Sequence, residues 1–200
     1  MSNTLIDAVA LNEQFSVQRA STADLAAVLA IYNQSIRGKQ ATANLVEVSL
    51  DERAVWFNEH INNPKRPLYV VKTRLSRQNT NEQNSDTDTI VAWGSFSDLY
   101  PRTAYHISSE ISIYLHSAYH GKGLGSLLTR WMIIQAPSLG ISNIVALIFA
   151  HNQPSLSLFN KLGFTQWGYL PQVCDMDGFL ADVVMLGIAV HSNKIADSAT

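Results

Sequence analysis

Residues 107–136 constrain this chain more than any other stretch. Residues 107–115 alternate strictly: Ile107, Ile111, Ile113 and Leu115 share one face, and Ser108, Glu110, Ser112 and Tyr114 share the other. A period of two is the period of a strand. His120-Gly121-Lys122-Gly123-Leu124-Gly125-Ser126 comes next, and Leu124, Leu127, Leu128, Trp131 and Ile134 then recur at helical spacing. The three patterns together describe a strand, a glycine turn and a helix. Alternating glycines let backbone N–H groups approach a ligand without Cβ interference. The helix start adds unpaired N–H groups and a positive dipole end, and together these make a cradle for phosphate. A P-loop is excluded, because Lys122 lies between the glycines instead of after the last one. A dinucleotide fingerprint is excluded as well, because the third glycine comes one position early and the turn follows the fourth strand instead of the first. A tight turn without a ligand is the plain alternative, and three alternating glycines at a helix start weigh against it.

The flanking sequence supplies a mixed α/β sheet. Residues 15–20 alternate as a short strand. Ser21 or Thr22 can cap a helix that carries Leu25, Val28, Leu29 and Tyr32 and ends at Gly38. Residues 50–61 read as a second helix with Val55, Trp56 and Phe57 on its apolar side, closed by Pro64 and Pro67. Residues 68–71 and 90–96 read as strands flanking a polar stretch, 73–89, which has nothing to bury and is expected to tip a hairpin. The apolar run 144–149 fits a strand covered on both faces. A short helix is expected over 154–162, with Pro154 at its start and Gly163 at its end. Strands over 165–173 and 179–188 close the domain. Helices are therefore expected on both faces of one sheet. The expected organisation is an N-terminal extension (1–14), a single domain (15–190) with a polar insertion at 73–89, and a polar tail (191–200).

Composition removes several function classes. The 200 residues are 46% hydrophobic and 15% charged, which is globular. With net charge −2 there is no basic surplus for a nucleic-acid backbone, so no nucleic acid is expected as a partner. No apolar run approaches the roughly 18 residues of a membrane span, and residues 1–14 lack the basic-then-apolar order of a secretory signal. A single cysteine, Cys174, cannot form an internal disulfide or a cysteine-based zinc site, and it suits a reducing, cytoplasmic setting. Cys174 is expected in the loop between the last two strands, as packing or surface. His116 and His120 span a strand end and a turn with no carboxylate cluster beside them, so no metal is expected.

Arg/Gln-x-x-Gly-x-Gly/Ala at a strand-to-helix junction is the acetyl-CoA pyrophosphate loop of the GNAT superfamily of N-acetyltransferases. The segment His120-Gly121-Lys122-Gly123-Leu124-Gly125 resembles it, with His120 replacing Arg or Gln. The likeness runs from about Val17 to Leu186. Tyr32-Asn33, Trp56-Phe57, Glu110 with Ser112-Ile113-Tyr114, Asn152 with Ser155, Leu162-Gly163-Phe164 and Asp182-Val183 resemble residues of the phosphinothricin and methionine-sulfoximine acetyltransferases. This resemblance implies a GNAT fold: an α/β, mostly antiparallel central sheet with helices on both faces and two central strands splayed to admit the cosubstrate. It also implies acetyl-CoA as cosubstrate, a small-molecule amine as acceptor, and a homodimer with the C-terminal strands near its interface.

Acetyl transfer from a thioester needs a neutral amine, so a base must take the proton of an ammonium group. A lone strand glutamate is usually a surface ion-pair member. Beside this loop, Glu110 is the expected base, and the resemblance implies the same role. It further implies that Ile113, Tyr114 and Leu115 offer backbone to the acetyl and pantetheine groups, that His120, Gly121, Lys122, Gly123, Leu124, Gly125 and Ser126 hold the pyrophosphate, and that Asn152 and Ser155 meet the CoA arm. Arg102, Tyr105 and Tyr100 match substrate-binding positions, and an Arg suits a planar carboxylate; the plain reading of Arg102 is a solvated loop charge. Tyr100 stands where some relatives have a basic residue and Ala43 where many have Phe. Both changes point away from phosphinothricin itself, towards another small amino acid or analogue. Phe159 occupies a position where relatives have a Tyr or His that protonates the leaving thiolate, so water or another group must serve, or the thiolate leaves unassisted. Two other readings stand beside this one: acetylation of another amine (a polyamine, an antibiotic or a protein N-terminus), and a CoA-binding sensor without catalysis.

Overall fold

The computed structural model describes residues 8–74 and 89–190. Eight strands form one sheet: β1 (Val9–Ala10), β2 (Phe15–Arg19), β3 (Leu68–Thr73), β4 (Ile90–Asp98), β5 (Ser108–Leu115), β6 (Asn143–Phe149), β7 (Thr165–Asp175) and β8 (Leu180–Ala189). Their spatial order is β1-β2-β3-β4-β5-β6-β8-β7, and every pair is antiparallel except β5–β6. Four α-helices accompany them among the described residues: α1 (Leu25–Ile36), α2 (Leu50–Ile61), α3 (Leu124–Gln135) and α4 (Gln153–Lys161).

The helices cover both faces, as expected. Val28, Ile31, Tyr32 and Phe57 pack with Val70 and Trp93 on one face. Leu124, Leu128, Met132 and Phe159 pack with Phe96, Ile111 and Ile144 on the other. The caps follow the sequence. Ser49 accepts from the backbone N–H of Glu52, whose carboxylate accepts from Ser49, and this reciprocal pair starts α2. The alternation in β5 sorts its side chains between the layers: Ile111, Ile113 and Leu115 join the α3–α4 core, and Tyr114 joins the α1–α2 core.

Some expectations yield to packing. Ile107 precedes β5 and is exposed, and its carbonyl accepts from the N–H groups of Ser142 and Asn143. Val55 and Ile134 face solvent: α2 buries Phe57 and His60 instead, and α3 buries Met132. Cys174 lies within β7, which runs two residues past its expected end through register irregularities. Strands β3 and β4 pair antiparallel, with Thr73 N–H bonded to Thr89 C=O, so the polar insertion does join a hairpin. Residues 75–88 lie outside the described residues, as does the tail from 191.

The feature that positions a site is the short β5–β6 pairing. Parallel register holds only from Ser108↔Asn143 to Glu110↔Val145. Beyond it the two strands part, and each keeps its other neighbour: β5 stays on β4 to Leu115, and β6 stays on β8 to Phe149. The sheet therefore opens into a wedge in its middle.

Candidate active site

Two cavities meet at this wedge. The first, about 380 Å³, lies between the splayed strands and takes walls from Glu110, Ser112, Leu147, Phe159 and Cys174. The second, about 640 Å³, runs along the end of β5 to the glycine turn. Gln40, Ala41, Ile113, Tyr114, Asn152 and Ser155 line both, so they mark the junction. Leu147 is 43% exposed, although it sits in an otherwise buried run. The run 144–149 is thus not covered throughout: Leu147 faces the open wedge.

The glycine turn could hold a small anion through its backbone. Gly121 and Gly123 take φ +71° and +79°, and a Cβ at either would meet nothing within 4 Å. Space is not what demands glycine there; the left-handed backbone is. Gly123 is the N-cap of α3 and offers no side chain to the first-turn N–H groups, which remain available to a ligand. His120, Gly121, Gly123, Leu124, Gly125 and Ser126 line the second cavity, whereas Lys122 does not; its ammonium lies 5.3 Å from the Tyr119 ring centroid. His120 donates from Nε2 to the Leu115 carbonyl at 3.1 Å, which ties the turn to the end of β5. The residues present fit a pyrophosphate held by backbone amides, and Ile113, Tyr114 and Leu115 line the same cavity.

Glu110 lines the first cavity. Burial pushes its carboxyl above the ordinary carboxylate range, and among the described residues no side chain pairs with it. Its cross-strand neighbour is Ser97. Ser97 Oγ lies 3.0 Å from His60 Nε2, and His60 Nδ1 lies 2.8 Å from the Trp56 carbonyl. A carbonyl only accepts, so Nδ1 carries the hydrogen and Nε2 accepts from Ser97. Burial holds His60 below its usual range. Behind Tyr114, the Arg53 guanidinium lies 3.6 Å from the Trp56 ring centroid and 4.3 Å from that of Tyr32. Its Nε is buried without a hydrogen-bond partner.

Asn152 caps α4: its side chain accepts from Ser155 N–H at 3.1 Å and donates to the Gln40 carbonyl at 2.9 Å. Phe159 is buried in the wall of the first cavity, edge-on to Phe164. Arg102, Tyr100 and Tyr105 are not brought to either cavity. They lie exposed on the β4–β5 connection, where the two tyrosine rings pack 5.0 Å apart. Among the described residues, Glu110 is the one charged residue that lines the first cavity. Sequence reasoning missed the part played by Gln40 and Ala41, and by Leu170, Val173 and Cys174 of β7. No local pattern marks them; only the fold brings them to the wedge. Among the described residues no group of three or more His, Cys, Asp or Glu could hold a metal ion, and no helix is long and apolar enough to cross a membrane.

Comparison with known proteins agrees with this geometry. Residues 50–164 match the Acetyltransferase (GNAT) family. A Bacillus subtilis protein named "Putative phosphinothricin acetyltransferase YwnH" is 40% identical over 86% of this chain and 97% of its own. The L-methionine sulfoximine/L-methionine sulfone acetyltransferase of Pseudomonas aeruginosa is 28% identical over 90% of this chain and 98% of its own. Among solved structures, YncA of Salmonella typhimurium with its cofactor acetyl-CoA is similar at TM-score 0.77 and 26% identity, over 92% of this chain and 99% of that one.

Proposed function

The chain belongs to the GNAT acetyltransferase family and uses acetyl-CoA, and from that premise we propose that it acetylates the amino group of a small amino acid or amino-acid analogue, with Glu110 as general base and direct transfer from the thioester. The observation that carries this reading is the position of Glu110: without a side-chain partner among the described residues, half-buried, and in the cavity that opens from the wedge where an acetyl-CoA arm would end. The cosubstrate supplies an activated acetyl group. The chain's residues do the rest. The glycine turn and the first turn of α3 hold the pyrophosphate through N–H groups. The β5 backbone beyond Glu110, freed from β6 by the splay, offers hydrogen bonds to the arm and to the carbonyl that gains negative charge. Glu110 takes the ammonium proton, directly or through one water. Phe159 cannot return a proton to the departing thiolate, so water does so or the thiolate leaves unassisted. The amino-acid class rests on the relatives and on the size of the cavity. In this reading the protein is cytoplasmic and a homodimer that buries the apolar side chains of β7 and β8.

A second reading has its own observation. Among the described residues no cation lines the first cavity, and Arg102 stays outside it. An acceptor amine without a carboxylate, such as a polyamine, fits that wall without further help. An amino acid needs Arg102, or a neighbouring copy, to reach over the rim.

The test is free-thiol release from acetyl-CoA against methionine sulfoximine, methionine sulfone, phosphinothricin, common amino acids, polyamines and aminoglycosides. Glu110→Gln runs in parallel. Turnover on an amino-acid analogue, reduced about 10²–10⁴-fold in the variant, supports the first reading. Turnover only on polyamines transfers the assignment to the second. Acetyl-CoA binding with no turnover on any amine points to a sensor.

A further inference from the structure

Three successive carbonyls in the connection between α1 and α2 are each held by a different side chain. His151 donates from Nε2 to the Lys39 carbonyl at 2.8 Å. Asn152 donates to the Gln40 carbonyl at 2.9 Å, and the Tyr114 hydroxyl donates to the Ala41 carbonyl at 3.2 Å. Next along the chain, the Tyr32 hydroxyl lies 2.6 Å from Thr42 Oγ1. His151 and Asn152 follow β6, whereas Tyr114 belongs to β5. Residues 39–42 therefore cross from one splayed strand to the other, over the mouth of the wedge. Gln40 and Ala41 line both cavities, so this crossing roofs the junction between them.

The far end of the crossing is pinned by Lys39. Its ammonium donates to the Met176 carbonyl at 2.7 Å and to the Asp177 carbonyl at 2.8 Å, in the turn between β7 and β8. The Asp177 carboxylate adds only a 3.9 Å contact and is largely exposed. Lys39 also holds φ +49°, a left-handed backbone that is strained for a residue with a Cβ. Such a conformation persists where the surroundings over-determine it, and it concentrates at clamps and switch segments. Here the surroundings are the two turn carbonyls and His151, whose ring stacks on Phe149.

We propose that residues 39–42 form a strap that seals the cavity junction against water and sets acceptor affinity, with Lys39 as its positioning residue. The proposal rests on the acetyl-transfer reading for its kinetic arm only. Lys39 touches neither reacting group. It holds Gln40 and Ala41 in place, and those residues close the space where a thioester and an amine would meet. A loosened strap admits water to that space and widens the acceptor wall, while the glycine turn at the other end of the second cavity is left as it was.

The test uses Lys39→Met, which keeps the stem and removes the ammonium, and Lys39→Arg, which restores donors. Amide hydrogen exchange over 39–44 and acetyl-CoA affinity by calorimetry are read without any turnover. In Lys39→Met, exchange over 39–44 speeds up about tenfold, acetyl-CoA affinity stays within about twofold, and Lys39→Arg restores most of the protection. With an acceptor in hand, KM for that acceptor rises about three- to tenfold, kcat changes less, and acceptor-free release of thiol increases. Unchanged exchange in Lys39→Met overturns the proposal. So does faster exchange that leaves acceptor KM and acceptor-free hydrolysis untouched. If the wild-type chain acetylates nothing, the acetyl-transfer reading fails, and the exchange result still decides whether Lys39 pins the strap.

Discussion

As the proposed base, Glu110 would join two opposed demands in one side chain. A base in the wedge must be unpaired to take a proton, and an unpaired carboxylate held away from water costs stability. Its folded-state pKa is raised, so the folded chain binds this proton more tightly than the unfolded chain does. Stability therefore falls as pH rises through the window that starts at the ordinary carboxylate value. Glu110→Gln is expected to lower turnover and also to raise Tm at neutral pH, by about 2–4 °C for each kcal/mol relieved; a lowered Tm would show that Glu110 has a stabilising partner. His60 runs the other way. Its pKa is lowered in the fold, so the unfolded chain binds the proton more readily, and stability is lost as pH falls below the ordinary value of 6.5. Thermal melts of the wild type between pH 7.5 and 5 are expected to show this loss, and His60→Gln is expected to flatten it. Glu110 was legible in the sequence because it stands on the polar face of a strand that leads to the glycine turn. The His60–Ser97 pair beside it was not, because 37 residues separate two groups that meet only when α2 lies on β4.

The glycine turn and the start of α4 are two helix N-termini put to different uses. Gly123 leaves the first-turn N–H groups of α3 free, whereas Asn152 spends its own side chain on those of α4. Gly123→Ala is expected to cost about 1–2 kcal/mol of backbone strain and to weaken acetyl-CoA binding at least tenfold in a calorimetric titration; full affinity would remove the turn from the cosubstrate site. Asn152→Ala is expected to destabilise the fold by about 1 kcal/mol through the lost cap, read in urea melts, and also to speed exchange over the strap, because the same amide holds the Gln40 carbonyl. At this scale the sequence was most readable where a period was long. The bounds expected for α2 are those observed, and β5 begins one residue later than expected. It was least readable at the wedge. A continuous apolar run in β6 predicts burial on both faces, and only the departure of β5 uncovers Leu147.

Across the whole molecule, β7 forms one edge of the sheet and carries an unusual load of exposed apolar side chains with its neighbour β8. Trp167, Val173 and Leu180 are 47%, 52% and 55% exposed. A monomer seldom leaves so many large apolar groups together in water, and Leu170, Val173 and Cys174 on the same strand wall the first cavity. Sedimentation at micromolar concentration is expected to give twice the chain mass, and Leu180→Glu to move it towards one chain. A wild-type monomer would separate the first cavity from any second copy. Periodicity, glycine spacing and caps are local properties, and through them the sequence alone determined the order of the elements, the two-faced burial of the sheet and the glycine turn at the start of α3, and pointed to the candidate base. The depth of the splay, the strap between β5 and β6, the exclusion of Arg102 from the cavity and the β7 wall were decided only by the tertiary structure. Each depends on which strands keep pairing and which part, and that balance is set by side chains far apart in the chain that pack from both faces at once.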